Sequence, residues 1–407
     1  MSIRHQGNHI EIVKGTQGYA LYDLWAQNVY HLNQAAWNVI QRYINGENTF
    51  NESERPIIDI LESIEFTNNL FNTSPSQITP VLTYAWLEIT EACNMNCIHC
   101  YGEWGHPIEK SDKYLTCDEW KNVIDRIWDV GCRSIQLIGG EPLISPYFSE
   151  LLRYAYYKGM KHIDIFTNGT LINEKLIELF EETHSYIRVS LYGHTANIHD
   201  AITKHPGSFE KTIKNISLLQ AHNIPVSIAV IIMDLNEKYT NEIEAFITQM
   251  GSHGYDTIRQ TTYGQQLKHA VSRSEVLKPR YQCKASFNTS RESFYKNQKW
   301  NSCWFGKIAI TSKGDIIPCI FARECVLGNI RIDPSEKIKK EILKAWSITK
   351  DQVTECCNCE YRYSCHDCRP LAKGLSGNLY AKYPRCCYDP ANGIWNNIEQ
   401  VTNELKK

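Results

Sequence analysis

The chain has 407 residues, 43% of them hydrophobic, and a formal net charge of −2, with 43 Lys and Arg set against 45 Asp and Glu. That length accommodates two or three domains with cores of their own. The near-neutral balance offers no electrostatic footing for nucleic acid or an anionic membrane, and the absence of a signal region or membrane-length apolar run points to the cytoplasm. Along the chain, residues 9–13, 19–24 and 28–32 read as short strands of a meander. Asn33 is placed to cap a helix with Ala36, Trp37, Ile40, Tyr43 and Ile44 on one face and Asn45-Gly46 as its stop. A second helix carries Ile57, Ile60, Leu61 and Ile64, so residues 1–80 form a small cysteine-free α+β module.

Residues 81–262 alternate strand and helix. Short apolar runs at 81–89, 134–140, 162–166, 186–191, 225–232 and 255–262 read as strands. One intervening helix carries Trp120, Val123, Ile124, Ile127 and Trp128 behind a Thr116–Glu119 capping box, and another carries Phe209, Ile213, Ile216 and Leu219. Six such units predict a parallel sheet under helices, curling into a full or partial barrel with its working residues at the C-terminal strand ends. Residues 263–300 are a polar bridge, residues 301–391 are rich in cysteine and turns, and 392–407 hold a closing helix.

The 16 cysteines cluster: three near residue 100, two flanking Gly314 and seven between 356 and 387. In a reducing compartment, and in a chain this long, that distribution favours metal ligation over disulfides. Cys93, Cys97 and Cys100, with gaps of three and two, follow the first barrel strand. A 4Fe–4S cluster normally takes four thiolates, so three in one loop leave one iron open for chemistry. The alternative is three buried or zinc-binding thiols.

This trio, with His99 before its last member, resembles the signature of the radical S-adenosylmethionine (SAM) enzymes, whose open iron holds the amino and carboxylate groups of SAM. Gly139, Gly140, Glu141 and Pro142 close the second barrel strand and resemble that family's GGEP motif, which contacts the methionine amino group. A glycine pair permits close backbone approach to a ligand. By the same resemblance, Asn168 and Ser190, at the ends of the third and fourth strands, supply polar contacts to SAM; each is equally a turn former. Where many relatives carry an Arg for the SAM carboxylate, this chain has Thr203 in HDAITKHPGSF (199–209), and Lys204 is the available substitute. Lys is a point charge and lacks the planar fork of Arg.

The order Cys303, Gly314, Cys319, Cys356, Cys359, Cys365, Cys368, Cys386 resembles the SPASM extension, which carries auxiliary 4Fe–4S clusters; the gap of two between Cys365 and Cys368 departs from its pattern. Carried over residue by residue, Cys303, Cys319 and Cys368 hold auxiliary cluster I. Its fourth position falls to Cys283 or stays open for a substrate thiolate. Cys356, Cys359, Cys365 and Cys386 hold cluster II, with Cys357 and Cys387 leaving a register of one open. A structural zinc module is the alternative. The string VYHLNQAAWNVIQRYINGE (29–47) resembles the winged-helix-like, PqqD-like recognition domain of peptide-modifying enzymes, in which a leader peptide adds to a sheet edge; a structural cap or dimerisation module is the alternative.

Together these resemblances imply a partial (β/α)6 TIM barrel between a peptide-recognition domain and a SPASM domain. They imply SAM and three 4Fe–4S clusters as cofactors, and a precursor peptide and an electron donor such as flavodoxin or ferredoxin as partners. The expected reaction is thioether formation through a 5′-deoxyadenosyl radical, in the style of ranthipeptide and sactipeptide maturases. The alternatives are carbon–carbon crosslinking, epimerisation or formylglycine formation, and, outside catalysis, a peptide-binding iron–sulfur or zinc scaffold.

Overall fold

The computed structural model describes residues 9–64, 66, 78–102, 104, 112–251, 258–260, 268–272 and 281–404. The chain divides into two units, one of residues 1–79, 278–303 and 347–407, the other of 80–277 and 304–346.

In the first unit, strands β1 (Ile10–Lys14), β2 (Tyr19–Asp23) and β3 (Asn28–Leu32) form an antiparallel sheet in the order β1-β2-β3. Side chains alternate across a strand, so β2 sends Leu21 to one face and Ala20 and Tyr22 to the other. The Leu21 face packs with Ile10 and Leu32 against Val39, Ile40, Ile58 and Leu61 of helices α1 (Gln34–Ile44) and α2 (Arg55–Ser63). The opposite face packs Ala20 and Tyr22 against Phe294, Tyr295, Tyr361 and Tyr388. Asn33 caps α1 by accepting the Ala36 N–H at 2.8 Å, and Gly46 follows the helix at φ 85°. In α2 the buried stripe differs from the sequence expectation. Ile58 is buried and Ile60 is 43% exposed, because the helix starts at Arg55 and turns Ile58 toward Leu61, onto the sheet side.

The second unit is built on a nine-stranded sheet in the order β12-β11-β10-β4-β5-β6-β7-β8-β9. Its parallel strands are β4 (Tyr84–Glu88), β5 (Ser134–Ile138), β6 (His162–Thr167), β7 (Tyr186–Ser190), β8 (Val226–Ile232) and β9 (Ile258–Gln260). They coincide with the six expected strands; residues 255–257 and 261–262 of the last lie outside the described residues. Between them run helices α3 (Cys117–Asp129), α4 (Phe148–Lys158), α5 (Glu174–Glu182), α6 (Ala196–Thr203), α7 (Ser208–Ala221) and α8 (Thr240–Gln249). Thr116 and Glu119 form the expected capping box at α3. The result is a partial barrel-like parallel sheet in an α/β fold. Past residue 301 the sequence reads only as turns and cysteines. Here β10 (Lys307–Ile310) pairs parallel with β4, and β11 (Asp315–Ile317) and β12 (Gly328–Asn329) continue antiparallel from it.

The two sheet faces differ in chemistry. One is aliphatic and buried: Ala85, Leu87, Ile135, Leu137, Ile163, Ile165, Ile187 and Val189. Residues of opposite parity line the other face. There Tyr84 donates to Asp164 at 3.1 Å, Arg188 pairs with Asp164 at 3.2 Å, and Trp86 and Phe166 pack with Ile138, Ala309 and Ile317.

Candidate functional site

The β4 strand ends at Glu88, and the loop after it holds the three spaced cysteines. The loop is fastened on two sides. The turn after β5 donates to it, from Gly140 N–H to the Thr90 carbonyl at 2.9 Å and from Glu141 N–H to the Ala92 carbonyl at 2.8 Å. On the other side, Asn96 and Ile98 donate to the carbonyls of Thr203 and Ile202 at 3.1 Å each, at the end of α6. The glycine pair is required by this approach: a Cβ on Gly140 would lie 2.2 Å from the Ala92 oxygen, and one on Gly139, at φ 153°, would lie 2.3 Å from the Thr90 oxygen. The motif thus positions the cysteine loop directly, a role the sequence reading assigned only toward SAM.

Cys93, Cys97 and Cys100 lie in one electrostatic neighbourhood, each felt by the others. Burial pushes the Cys93 thiol up to about 12, and the Cys97 thiol also up, so these groups ionise only with a cation to receive them. Cys93 Sγ already accepts the Met95 N–H at 3.4 Å. Among the described residues no three His, Cys, Asp or Glu close to the spacing of a single metal ion. A four-iron cube binds each thiolate at a different iron, and the three-cysteine loop fits that donor set.

Tyr192, after β7, is buried, packs with Cys97, and lies in the electrostatic neighbourhood of all three thiols and of Ser190. His99 is 3% exposed, edge-on to Tyr192 with ring centres 4.5 Å apart; burial drives its pKa down to about 3. It stays neutral, with Nδ1 buried and without a hydrogen-bond partner. His199 stacks on the other side of Tyr192 and accepts the Tyr192 N–H at 3.2 Å. Sequence reasoning missed Tyr192 and His199, since only the β7–α6 connection brings them to the loop.

Glu141 is fully buried. Its carboxylate accepts from Thr167 Oγ1 at 2.7 Å, Asn168 N–H at 2.7 Å and Leu143 N–H at 3.1 Å, and burial outweighs these donors to raise its pKa to about 7. Pro142 opens the short turn Pro142–Ile144. A folded-state pKa above the unfolded 4.5 favours the native state below pH 4.5, and that contribution fades as pH rises through 7. The difference in unfolding free energy between wild type and Glu141→Gln should therefore change by about 3 kcal/mol across that window, to the disadvantage of wild type at the alkaline end. Urea titrations at both ends of the window check this, and a constant difference refutes it.

Asn168 is taken up within the fold: its Nδ2 donates to Asn94 Oδ1 at 2.8 Å and its Oδ1 accepts from Thr170 Oγ1 at 2.7 Å, bracing the residue next to Cys93. Thr203, at the expected Arg position, is buried and hydrogen-bonds Ser208 at 2.8 Å. Lys204 is exposed in a left-handed cap at φ 55°, and among the described residues it makes none of the hydrogen bonds that surround the three cysteines. Beyond Cys100, Tyr101, Phe321, Trp86 and Phe166 form an aromatic wall. Beside it Arg323 grips both oxygens of buried Glu88 at 2.8 and 3.0 Å and lies 5.5 Å from the Trp104 ring centre.

In the first unit, Cys356, Cys359, Cys365 and Cys386 share a second electrostatic neighbourhood, and Cys303 lies near Cys368. Cys319 follows β11 in the other unit and is buried. Cys283 and Cys387 are brought together, with Cα atoms 4.8 Å apart. The cause is a parallel bridge between Gln282 and Cys386, which sets the following residues opposite each other. Cys386 shares the electrostatic neighbourhood of Cys356.

Residues 87–248 match the profile of the Radical SAM superfamily. The chain contains a radical SAM domain. Its relatives include the antilisterial bacteriocin subtilosin biosynthesis protein AlbA of Bacillus subtilis (strain 168), 26% identical over 79% of this chain and 74% of that protein. The AdoMet-dependent heme synthase of Methanosarcina barkeri is 27% identical over 75% of this chain and 96% of its own. Streptococcus suis SuiB, solved bound to its precursor peptide SuiA, shares the fold with a TM-score of 0.53 at 13% identity, over 93% of this chain and 98% of that one. The β4 loop, the β5 turn and Tyr192 all fall inside the matched radical SAM domain, and among the described residues no helix is long and apolar enough to cross a membrane.

Proposed function

We propose that this radical SAM enzyme is a cytoplasmic maturase that joins a Cys sulfur to a carbon of a ribosomally made precursor peptide. The observation that carries the reading is the half-buried three-cysteine loop, locked to the Gly-Gly turn at the C-terminal end of a parallel sheet, in a chain with a further nest of four cysteines. AlbA, named for the biosynthesis of a bacteriocin, and SuiB, solved with a precursor peptide, support a peptide substrate.

In this reading Cys93, Cys97 and Cys100 hold a 4Fe–4S cluster, with SAM bound near Gly139, Gly140, Glu141, Pro142 and Ser190. When bound, these groups supply a 5′-deoxyadenosyl radical able to take an unactivated hydrogen. The protein orients and shields. Tyr192 and neutral His99 close one side of the thiols without adding charge, and Glu141 holds the ends of β5 and β6 together. Trp86, Tyr101, Phe166 and Phe321 keep water from the adjoining face, where a peptide side chain would lie in attack geometry. Cys356, Cys359, Cys365 and Cys386 hold one auxiliary cluster; Cys303 and Cys368 contribute to the other. Flavodoxin or ferredoxin is the electron donor, and the β1–β3 sheet receives the leader peptide along an edge.

Thioether formation removes one hydrogen from sulfur and one from carbon. Anaerobic incubation of the enzyme with SAM, reductant and a Cys-containing precursor should give a product about two daltons lighter by mass spectrometry, with one thiol fewer to alkylate. A lighter product whose thiols all alkylate indicates carbon–carbon crosslinking, and unchanged mass with a changed stereocentre indicates epimerisation. Either result overturns the thioether reading.

A further inference from the structure

Beside the four-cysteine nest lies a buried triad of charges. Lys350 Nζ sits 2.9 Å from Asp367 Oδ1, and Arg369 reaches the same oxygen through Nη2. The side chains of Lys350, Asp367 and Arg369 are 5%, 2% and 0% exposed. Asn301 Nδ2 donates to the second oxygen of Asp367 at 3.0 Å. Two cations against one carboxylate leave one positive charge uncompensated, out of water, where charge is expensive.

Their surroundings show which cation is surplus to the triad. Arg369 is consumed by structure: its Nη1 donates to the carbonyls of Leu379 at 2.7 Å and Ala381 at 2.8 Å, and its Nη2 neutralises Asp367. With Asn301 on the other oxygen, Asp367 is satisfied without Lys350. Lys350 instead lines a small cavity with Cys365 and Asp367, and its Nζ lies 5.6 Å from the centre of the Tyr383 ring, which itself neighbours Cys365. Its ammonium lies within electrostatic reach of both Cys356 and Cys365. Glu360, buried beside Cys359, meets Tyr388 and His31 through Oε1.

We propose that Lys350 sets the reduction potential of the auxiliary cluster held by Cys356, Cys359, Cys365 and Cys386, its buried ammonium stabilising the reduced state. The inference rests on the proposed ligation by those four cysteines. Reduction adds one electron and one negative charge to the cluster, with no bond to protein made or broken. A fixed positive charge in low dielectric favours that state, since cluster potentials follow net charge, hydrogen bonding and burial. Lys350 is a positioning residue of an electrostatic kind, touching neither substrate nor SAM.

The test is an EPR-monitored reductive titration of the anaerobically purified holoenzyme, resolving the clusters by signal. At the wild-type midpoint, Lys350→Met should lower the reduced-to-oxidised ratio of this cluster about tenfold, equal to about 59 mV for a one-electron couple. Lys350→Arg should restore the ratio, and Asp367→Asn, which adds net positive charge, should move it the opposite way. In Lys350→Met the other clusters should not move. An unchanged midpoint in Lys350→Met with full iron, or shifts of the same sign in Lys350→Met and Asp367→Asn, overturns the role of Lys350. If wild type holds about four irons fewer than three clusters need, and lacks this signal, the ligation reading falls and the proposal with it. Should Lys350→Met lose iron, the sign of the Asp367→Asn shift decides alone.

Discussion

Cys97→Ser should leave a folded protein that no longer cleaves SAM. Cys97 is the middle thiol of the trio and packs partly buried with Tyr192, Ile202 and Met233. Exchanging sulfur for oxygen there disturbs packing by about 1 kcal/mol, too little to unfold a chain of this size. A serine hydroxyl does not ionise to replace a thiolate, and two thiolates do not hold a cube that normally takes four ligands. Iron should fall from about twelve to about eight per chain, and 5′-deoxyadenosine formation should drop by about a thousandfold or more. The control is Cys132→Ser, at a buried cysteine with a separate partner, the Ser134 carbonyl at 3.3 Å. It should keep its iron and its activity. Full iron and undiminished SAM cleavage in Cys97→Ser would remove the trio from the chemistry.

Gly140→Ala should disable the same site through the backbone alone. The added methyl would meet the oxygen and carbon of Ala92 at 2.2 and 2.7 Å and the Glu91 oxygen at 2.8 Å. These are main-chain atoms of the cysteine loop, so no side-chain rotation relieves the clash. Either the β5 turn or the loop must shift, breaking the donations from Gly140 to Thr90 and from Glu141 to Ala92. The expected cost is about 3 kcal/mol of stability, with SAM affinity about a hundredfold weaker once the loop and turn are misplaced. Gly207→Ala provides the contrast. Gly207 has φ 78° but nothing within 4 Å of its virtual Cβ, so that change should cost about 1 kcal/mol and spare SAM binding. Equal effects of the two substitutions on SAM affinity, measured by calorimetry, would refute the close-approach argument.

The parts of this fold legible in the sequence are those written in contiguous residues. Six apolar runs predicted six parallel strands because a strand buried against helices needs a hydrophobic face along its whole length. The three-cysteine loop was legible for the same reason, its ligands lying within eight residues. What escaped depends on pairing at a distance. Strand β10 is four residues long and joins β4 more than 200 positions away, so local periodicity carries no trace of it. The parity that turns Glu88, Asp164 and Arg188 to one face was hidden inside runs read only as apolar. The approach of Cys283 to Cys387 spans 104 residues and follows from the Gln282–Cys386 bridge, which composition does not encode. Lys204 shows what sequence leaves unstated: the charge stands at the expected position, and the fold sets it exposed in a left-handed cap directly after Thr203, whose carbonyl holds the cysteine loop.

The placement of β10 between β11 and β4 also governs how the protein comes off the ribosome. Until residues 307–310 have emerged, β4 is an edge strand with an open ladder of backbone donors and acceptors beside the metal-binding loop. The radical SAM part of the chain is therefore a sticky intermediate during synthesis, closed only by a segment translated long after it. A fragment cut before residue 300 is not an isolated catalytic domain but a nascent-chain mimic, prone to aggregate through β4.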